Sequence, residues 1–197
     1  MRVVAVVIHW FRRDFRVRDN TALLQAARAA GAGGTVVGMF VINPGWMEAG
    51  ARQMGAHQAR FWLESLQELS RALARRGIPL LIRRGDPVVK LLAAARMLGA
   101  ERITYNKEYE PAQRAAADRL AREATVLGIR GEGLKDAVLF EEGEVATEAG
   151  RAYRVFTAYW KQVQGRLQER GVRVGGLVPR MRPPCVRSDA VPMPEDL

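Results

Sequence analysis

The sequence predicts a doubly wound α/β domain, in which a parallel sheet lies between two layers of helices. Two observations carry this prediction. Runs of apolar, mostly β-branched residues alternate with amphipathic stretches along the chain. The apolar runs are also continuous, whereas a strand with one face in water alternates apolar and polar residues. Short strands that alternate with helices of roughly ten to twenty residues indicate parallel βαβ units.

The first two βα units have the clearest signals. Residues 3–8 form the first apolar run, and Asn20 stands at the N-cap of the helix that follows. Glycine at Gly31 ends this helix, because glycine readily adopts the left-handed conformation found at helix ends. Residues 35–42 predict a second buried strand, and residues 58–76 predict a long amphipathic helix.

Three further strands complete the predicted sheet. Residues 78–82 form the third strand, after which Asp86 caps a helix that begins with proline. Residues 103–106 form a short fourth strand, residues 111–127 a helix, and Ile129 begins a weaker fifth strand. We therefore predict a Rossmann-like sheet of five parallel strands with helices on both faces. Its ligand crevice is expected beyond the carboxyl ends of the strands.

The pattern changes after Asp136. A polar loop leads to a last predicted helix at residues 155–168. From Gly171 onward the chain holds five of its nine prolines and shows no periodicity. Such composition is typical of a linker or tail. We therefore divide the chain into a domain at residues 1–170 and the start of a linker at residues 171–197.

Composition limits the function classes. The chain is 48% hydrophobic and 26% charged, as in folded soluble proteins, and no apolar run approaches the roughly 18 residues of a membrane span. The first residues lack the features of a secretory signal, so we expect a cytoplasmic location and no membrane partner. One cysteine and two histidines are too few for a zinc cluster, so no metal is expected.

The formal net charge of +10 makes nucleic acid a candidate partner, because a basic surface attracts polyanions. Base composition or adaptation to heat also enriches arginine. The charge alone leaves both explanations open.

Polar segments follow the predicted strands one, two and four, and together they would rim one crevice. Apolar side chains in or beside these segments offer a flat surface: Phe11, Trp46, Met47, Met54 and Phe61. Arg12, Arg60 and Glu108 offer polar contacts at its margin, a mixture that suits a planar heteroaromatic ligand with a charged tail. Alternatively, the charged residues of the first connection pair with one another and cap helix ends, and the apolar ones belong to the core.

The first βα connection, "RRDFRVRDN", excludes one common ligand mode. A Gly-x-Gly-x-x-Gly turn brings pyrophosphate against backbone amides, and this connection has no glycine. An NAD-type enzyme is therefore disfavoured. The chain also lacks a Walker loop, a nucleophile elbow and a Ser/His/Asp set, so His9 and His57 are interpreted as structural.

Five segments in order resemble the N-terminal α/β domain of the DNA photolyase and cryptochrome family. They are "WFRRDFRVRDN", "RRGDP" at 83–87, "YNKEYEP" at 105–111 with Arg114, Asp136, and "RAYRVFTAYWK" at 151–161. The resemblance implies light-driven repair of pyrimidine dimers in DNA, in which reduced FAD donates an electron to a flipped-out dimer. It also implies that FAD binds only through a helical C-terminal domain, which we expect to be absent from this chain.

By the resemblance, this chain contributes the antenna domain and is not catalytic alone. The positions that match antenna-binding residues are Arg12, Phe40, Met47, Arg60 and Glu108. Gln113 replaces the acidic residue of folate-type members, so FMN or a deazaflavin is favoured over folate, and an empty domain stays open. A stand-alone flavin- or nucleotide-binding module and a cryptochrome-type photoreceptor fragment are the alternatives. A separate helical FAD-binding chain is an expected partner, with an apolar patch between Tyr153 and Trp160 to meet it.

Overall fold

The computed structural model describes residues 5–43, 55–172 and 174–192. Its strands are β1 (Val6–Phe11), β2 (Thr35–Ile42), β3 (Leu80–Arg84), β4 (Arg102–Asn106) and β5 (Arg130–Leu134). Its helices are α1 (Thr21–Ala30), α2 (Ala56–Ala74), α3 (Pro87–Leu98), α4 (Pro111–Val126) and α5 (Phe156–Arg170).

The five strands are all parallel and lie in the order β3-β2-β1-β4-β5. Phe11 of β1 pairs with Phe40 of β2, and His9 of β1 pairs with Thr104 of β4. The chain adds β2 and β3 on one side of β1 and then crosses to add β4 and β5 on the other side. In such sheets the carboxyl ends of the strands at this change of side frame the ligand crevice. The predicted five-stranded, doubly wound α/β fold is confirmed.

Helices cover both faces of the sheet, which is why the strands are apolar on both sides. On one face α1 and α2 pack their leucines and alanines against alternate residues of β1 and β2 that include Phe11 and Phe40. On the other face α3 and α4 pack against the intervening residues, among them Trp10 and Met39. The sheet is therefore buried between two apolar layers.

Two predicted strand boundaries are wrong. β1 extends to Phe11 rather than ending at Ile8, because His9, Trp10 and Phe11 all pair with β2 and are buried. β3 begins at Leu80 rather than Ile78, because the amide of Ile78 donates to Leu73 at the end of α2 instead of joining the sheet. The predicted N-caps Asn20 and Asp86 are confirmed, since each accepts a hydrogen bond from the third amide of its helix.

Residues 174–192, here called the strap, dock against the domain. They contain no helix. Val178 is nevertheless fully buried in the core layer of α1 and α2, and Leu177 forms an antiparallel bridge with Arg18. Ser188 accepts a hydrogen bond from the amide of Leu80, and Asp189 donates one to its carbonyl. The strap thus covers part of edge strand β3, whose free edge would otherwise invite pairing with another chain.

The strap approaches α2 closely at Gly77. This glycine has a φ of +73°, and an added Cβ would overlap the carbonyl oxygen of Met181. Gly99 at the end of α3 has a φ of +63° with nothing within 4 Å of the added Cβ. The two positions therefore share backbone strain and differ in the contact with the strap.

We expect Gly77→Ala to lower the free energy of unfolding more than Gly99→Ala does. The control should cost about 1 to 2 kcal/mol, the usual penalty of a left-handed alanine. Gly77→Ala should cost more, because the strap must also move. Urea denaturation of both variants measures the difference. Equal losses would mean that the strap does not pack on Gly77 in solution.

Candidate functional site

The amino end of α1 lies at the carboxyl edge of the sheet, and three side chains occupy its amides. The amide of Thr21 donates to Asp136 at 3.0 Å, that of Ala22 to Asn106 at 2.9 Å, and that of Leu23 to Asn20 at 3.0 Å. These amides are the donors that bind pyrophosphate in a glycine-rich fold. Because the chain's own side chains already satisfy them, the structure supports the exclusion of that ligand mode.

Asp14 connects these caps to the sheet. Its carboxylate accepts hydrogen bonds from the side-chain amides of Asn106 at 2.6 Å and Asn20 at 3.0 Å, and from the backbone amide of Arg12 at 2.9 Å. Nε2 of His9 lies 3.6 Å from Oδ2 of Asp14. Burial alone would raise the pKa of Asp14, but His9 and these donors outweigh it and hold the pKa at about 2. Asp14 is therefore a buried carboxylate that stays ionised.

His9 has a structural position. It is fully buried within β1, its Nδ1 lies 3.1 Å from the hydroxyl of Thr104, and its ring meets Phe11 edge to face. The hydroxyl of Thr104 donates to the carbonyl of Ala22 in α1. This chain of contacts fixes β1, β4 and α1 relative to one another.

The other charges of the first connection pair with acids that follow distant strands. Arg13 binds both carboxylate oxygens of Glu110 at 2.6 and 2.8 Å, and Arg16 binds Asp136 at 2.6 Å. Asp136, which lies outside this connection, also accepts a hydrogen bond from the first amide of α1. The expectation that the charges of the connection pair among themselves is wrong for Arg13 and Arg16, because parallel strands bring their carboxyl ends to one edge.

Arg12 fills the crevice between β1 and β4. Its side chain is only 2% exposed, and Nη2 lies 3.0 Å from Glu108 and 3.1 Å from two oxygens of Gln113. The guanidinium carbon lies 4.6 Å from the ring centre of Trp10, a cation–π distance. Its Nε and Nη1 have no hydrogen-bond partner. The guanidinium is thus held by Glu108, by two oxygens of Gln113 and by the ring of Trp10, while two of its nitrogens have no partner.

Burial sets the electrostatics of this pair. It lowers the pKa of Arg12, and the charge of Glu108 opposes that shift. It also raises the pKa of Glu108, and Arg12 and Arg13 oppose that shift. Each partner therefore favours the ionised form of the other in a place where an isolated charge would be costly.

A cavity of about 580 Å³ opens beside Arg12, between the β1–α1 connection and α2. We call it the β1 cavity. Its apolar wall consists of Phe15, Phe61 and Trp62, and its polar side includes Arg12 and Gln58. Its size falls within the range of about 300 to 1,000 Å³ that small-molecule sites occupy.

A cluster of rings supports the apolar wall. Phe15 and Trp62 both meet the buried ring of Phe40, at centre distances of 5.3 and 4.8 Å. Edge-to-face pairs of this kind add about 0.5 to 1.5 kcal/mol beyond area burial. Packing against Phe40 therefore holds Phe15 and Trp62 in place, while Phe61 remains 71% exposed at the rim of the cavity.

The predicted site residues separate into groups. Arg12 lines the β1 cavity, and Phe40 lies beneath its wall without lining it. Glu108 lies on the far side of Arg12, where it lines a neighbouring cavity of about 350 Å³. Arg60 is exposed, pairs with Glu64 at 2.8 Å and does not line the β1 cavity.

Other predicted contributors lie elsewhere. Phe11 was expected at the crevice surface and is instead in the core, because β1 runs three residues further than predicted. Phe61 lines the β1 cavity as expected. Met47, with Trp46 and Met54, lies outside the described residues.

Sequence reasoning missed Phe15, Gln58 and Trp62. Phe15 is the one aromatic residue of the charged connection after Phe11, and an apolar ring between arginines is itself a signal. Trp62 directly follows Phe61 in α2, yet Trp62 is partly buried and Phe61 is exposed. This difference can be predicted only when the orientation of the helix on the sheet is known. Helical periodicity gives that orientation only once the core face is fixed.

A larger cavity, of about 720 Å³, lies between the loop after β5 and the end of α5. Two of its acids are already engaged: Asp136 with α1 and Arg16, and Asp19 with the amide of Gly175. It offers no buried cation. We therefore take the β1 cavity as the candidate site, because it joins a ring cluster to a buried guanidinium.

Within the described part of the chain, no group of three or more His, Cys, Asp or Glu side chains has the arrangement of a metal site. Among the helices described, none has both the length and the apolar character needed to cross a membrane.

Comparisons with known proteins agree on one family. The family model for DNA photolyase matches residues 7–180. Cryptochrome-1 of Arabidopsis thaliana is 36% identical over 157 residues, which are 79% of this chain and 22% of that protein. The deoxyribodipyrimidine photo-lyase of Escherichia coli is 32% identical over 164 residues, 81% of this chain and 34% of that protein.

The solved structures agree. A bacterial class III photolyase from Agrobacterium tumefaciens superposes with a TM-score of 0.80 at 26% identity, covering 97% of this chain and 38% of that one. Across the curated relatives compared, the chain spans between 22% and 52% of their length. The match lies in their N-terminal part.

The ionisation of Asp14 gives a testable pH dependence. A pKa held at about 2, below the ordinary 3.8, adds about 2 kcal/mol to the free energy of unfolding. This contribution is complete above about pH 4 and is lost as the pH falls through about 2. We expect Asp14→Asn to remove it.

The measurement is urea denaturation of wild type and Asp14→Asn at several pH values between 7 and 2. The stability gap between them should narrow by about 2 kcal/mol as the pH falls from 4 to 2. Asp118→Asn, at an exposed position, is the control and should open no such gap. If the difference in stability between the two proteins does not change with pH, the surroundings of Asp14 do not lower its pKa.

Proposed function

Since the chain belongs to the DNA photolyase family, we propose that it is the antenna-chromophore part of a light-dependent DNA repair enzyme, with the pigment in the β1 cavity. Members of this family bind flavin and antenna chromophores and act on DNA. The relatives are longer than this chain and include both photolyases and a cryptochrome.

The observation that carries the pigment site is the junction of rings and cations in the β1 cavity. Phe61 and Trp62 offer faces on which a planar heteroaromatic system stacks, and Phe15 closes the wall behind them. Arg12 and Arg13 line the same cavity, and Nε and Nη1 of Arg12 have no hydrogen-bond partner. A guanidinium is well suited to a phosphate or carboxylate, because its planar fork donates two parallel hydrogen bonds.

This chemistry favours FMN or a deazaflavin over a folate. Both favoured pigments are tricyclic and planar, and both carry a polar tail that can reach the arginines. Gln113, where an acid would stand in a folate-type member, is buried and holds Arg12 through its carbonyl and side-chain oxygens. It therefore serves the cation of the β1 cavity and offers no carboxylate to a pterin ring.

The repair step itself is assigned to other parts of the enzyme. Electron donation to a pyrimidine dimer needs a redox cofactor next to the flipped-out base. We propose that FAD, the dimer and the DNA around it bind a helical domain or a separate helical chain, and that this chain supplies light energy to it. The location is expected to be cytoplasmic.

Helix α5 offers a surface on which a second domain or chain could dock. Among its 15 residues only Val163 is buried, and Phe156, Tyr159 and Trp160 form an exposed stripe at helical spacing. A helix gains most of its stability from packing an apolar face. The stripe is therefore proposed as the surface that meets the helical FAD-binding part, as the sequence predicts for residues 153–160.

Pigment uptake tests the proposal. We expect the purified chain, incubated with FMN, a deazaflavin or a folate, to keep a visible or near-ultraviolet absorption band through gel filtration for one of the first two. Phe61→Ala should raise the Kd of that pigment about three- to tenfold, because it removes a stacking partner worth about 0.5 to 1.5 kcal/mol.

Phe156→Ala is the matched control, since Phe61 is 71% exposed and Phe156 is 73% exposed. It removes an equally exposed ring outside the cavity and should leave the Kd unchanged. If no pigment is retained, the antenna proposal fails. If both variants weaken binding equally, the pigment does not lie in the β1 cavity.

A further inference from the structure

A group of arginines lies at the amino edge of the sheet, opposite the edge that holds the β1 cavity. Helices α1 and α2 both end at this edge, and the strap crosses it. We call the group the arginine edge; its members are Arg28, Arg75, Arg76, Arg180 and Arg182. All except the half-buried Arg76 are exposed.

The strap assembles this surface. The amide of Met181 donates to the carbonyl of Arg76 at 2.7 Å, and the hydroxyl of Thr35 lies 3.4 Å from the carbonyl of Arg182. Arg28, Arg180 and Arg182 line one shallow cavity of about 320 Å³, together with exposed backbone at the end of α1. Arginines from α1, from the end of α2 and from the strap thus lie at the same edge of the sheet.

These segments carry no acidic residue. Residues 20–34, 69–82 and 171–187 contain no aspartate or glutamate. Within the described part of the chain, none of the five side chains forms an ion pair. This contrasts with the carboxyl edge, where Arg12, Arg13 and Arg16 are each matched to a carboxylate.

The ends of the two helices explain only part of the charge. A helix carboxyl end carries a partial charge of about −0.5, which favours a cation in its last turn. Arg28 lies in the last turn of α1, and Arg75 is the C-cap of α2. Two helix ends supply about −1 against five guanidinium groups, and Arg180 and Arg182 belong to no helix. A net positive field therefore remains at this edge.

We propose that the arginine edge binds the phosphate backbone of duplex nucleic acid. Guanidinium groups bind phosphates through paired hydrogen bonds, and several of them on one face release counterions from a polyanion. The segments of the arginine edge contain no aromatic side chain that could stack on an unpaired base. The edge is therefore suited to the phosphates of a duplex rather than to the bases of a single strand. This contact lies away from the β1 cavity and does not depend on the antenna proposal.

The test is fluorescence anisotropy of a labelled 20-base-pair duplex with the full chain at 50 and 200 mM salt. Five phosphate contacts predict that the wild-type affinity falls about 500-fold between these concentrations. The double variant Arg180→Gln/Arg182→Gln should bind more weakly at 50 mM, and its affinity should fall only about 40-fold, because two contacts are lost.

A second double variant, Arg122→Gln/Arg154→Gln, is the matched control. Both side chains are exposed, neither forms an ion pair, and the loss of charge is the same. The control should bind the duplex like the wild type. Equal weakening of both double variants would show a response to net charge alone and overturn the proposal.

Two further results would also overturn it. One is failure of the wild-type chain to bind the duplex at 50 mM salt. The other is binding of the wild-type chain to phosphatidylserine vesicles but not to the duplex, which would assign the arginine edge to a lipid surface. Pigment uptake by the Arg180→Gln/Arg182→Gln variant should be unchanged, so the two proposals fail separately.

Discussion

The amino end of α1 is the constraint on which the rest of the carboxyl edge depends. A helix leaves its first amides without partners, and here side chains from three different places in the chain supply them. Asn106 comes from the end of β4 and Asp136 from beyond β5, so capping one helix also fixes two strands. Asp14 then holds both asparagines in place. This use of the helix end removes the phosphate site that the same fold offers in dinucleotide-binding proteins.

The arginines of the first connection follow from this arrangement. Once carboxylates gather at one edge to cap and brace the helix, cations are needed to balance them, and Arg13 and Arg16 do so on the surface. Arg12 does so in the interior, where Glu108 and the ring of Trp10 keep it charged. The open cavity therefore lies toward α2, where Phe61 and Trp62 line it.

Periodicity and capping signals were sufficient to predict the sheet, its five strands and the caps at Asn20 and Asp86, because these depend on residues close in sequence. The end of β1 could not be predicted from them. His9 is polar, so the sequence predicts a loop to begin there. Its partner in the sheet, Thr104, is 95 residues away and could not be identified from local patterns. The pairing of Arg13 with Glu110 and the docking of Val178 are equally remote. The resemblance named Arg12, which lines the β1 cavity, but the wall formed by Phe15 and Trp62 could be found only from the packing of α2.

The strap joins the two edges of the sheet. At the carboxyl edge, Asp19 receives a hydrogen bond from Gly175 and adopts a φ of +50°. At the amino edge, the strap binds the end of α2 through Met181 and then follows β3. The connection that braces α1 therefore also anchors the segment that builds the arginine edge. A change in the β1–α1 connection would alter the structure at both edges, because Val17 and Asp19 each form a backbone hydrogen bond with the strap. The proposed pigment site and the arginine edge are separate in space, but both depend on this connection.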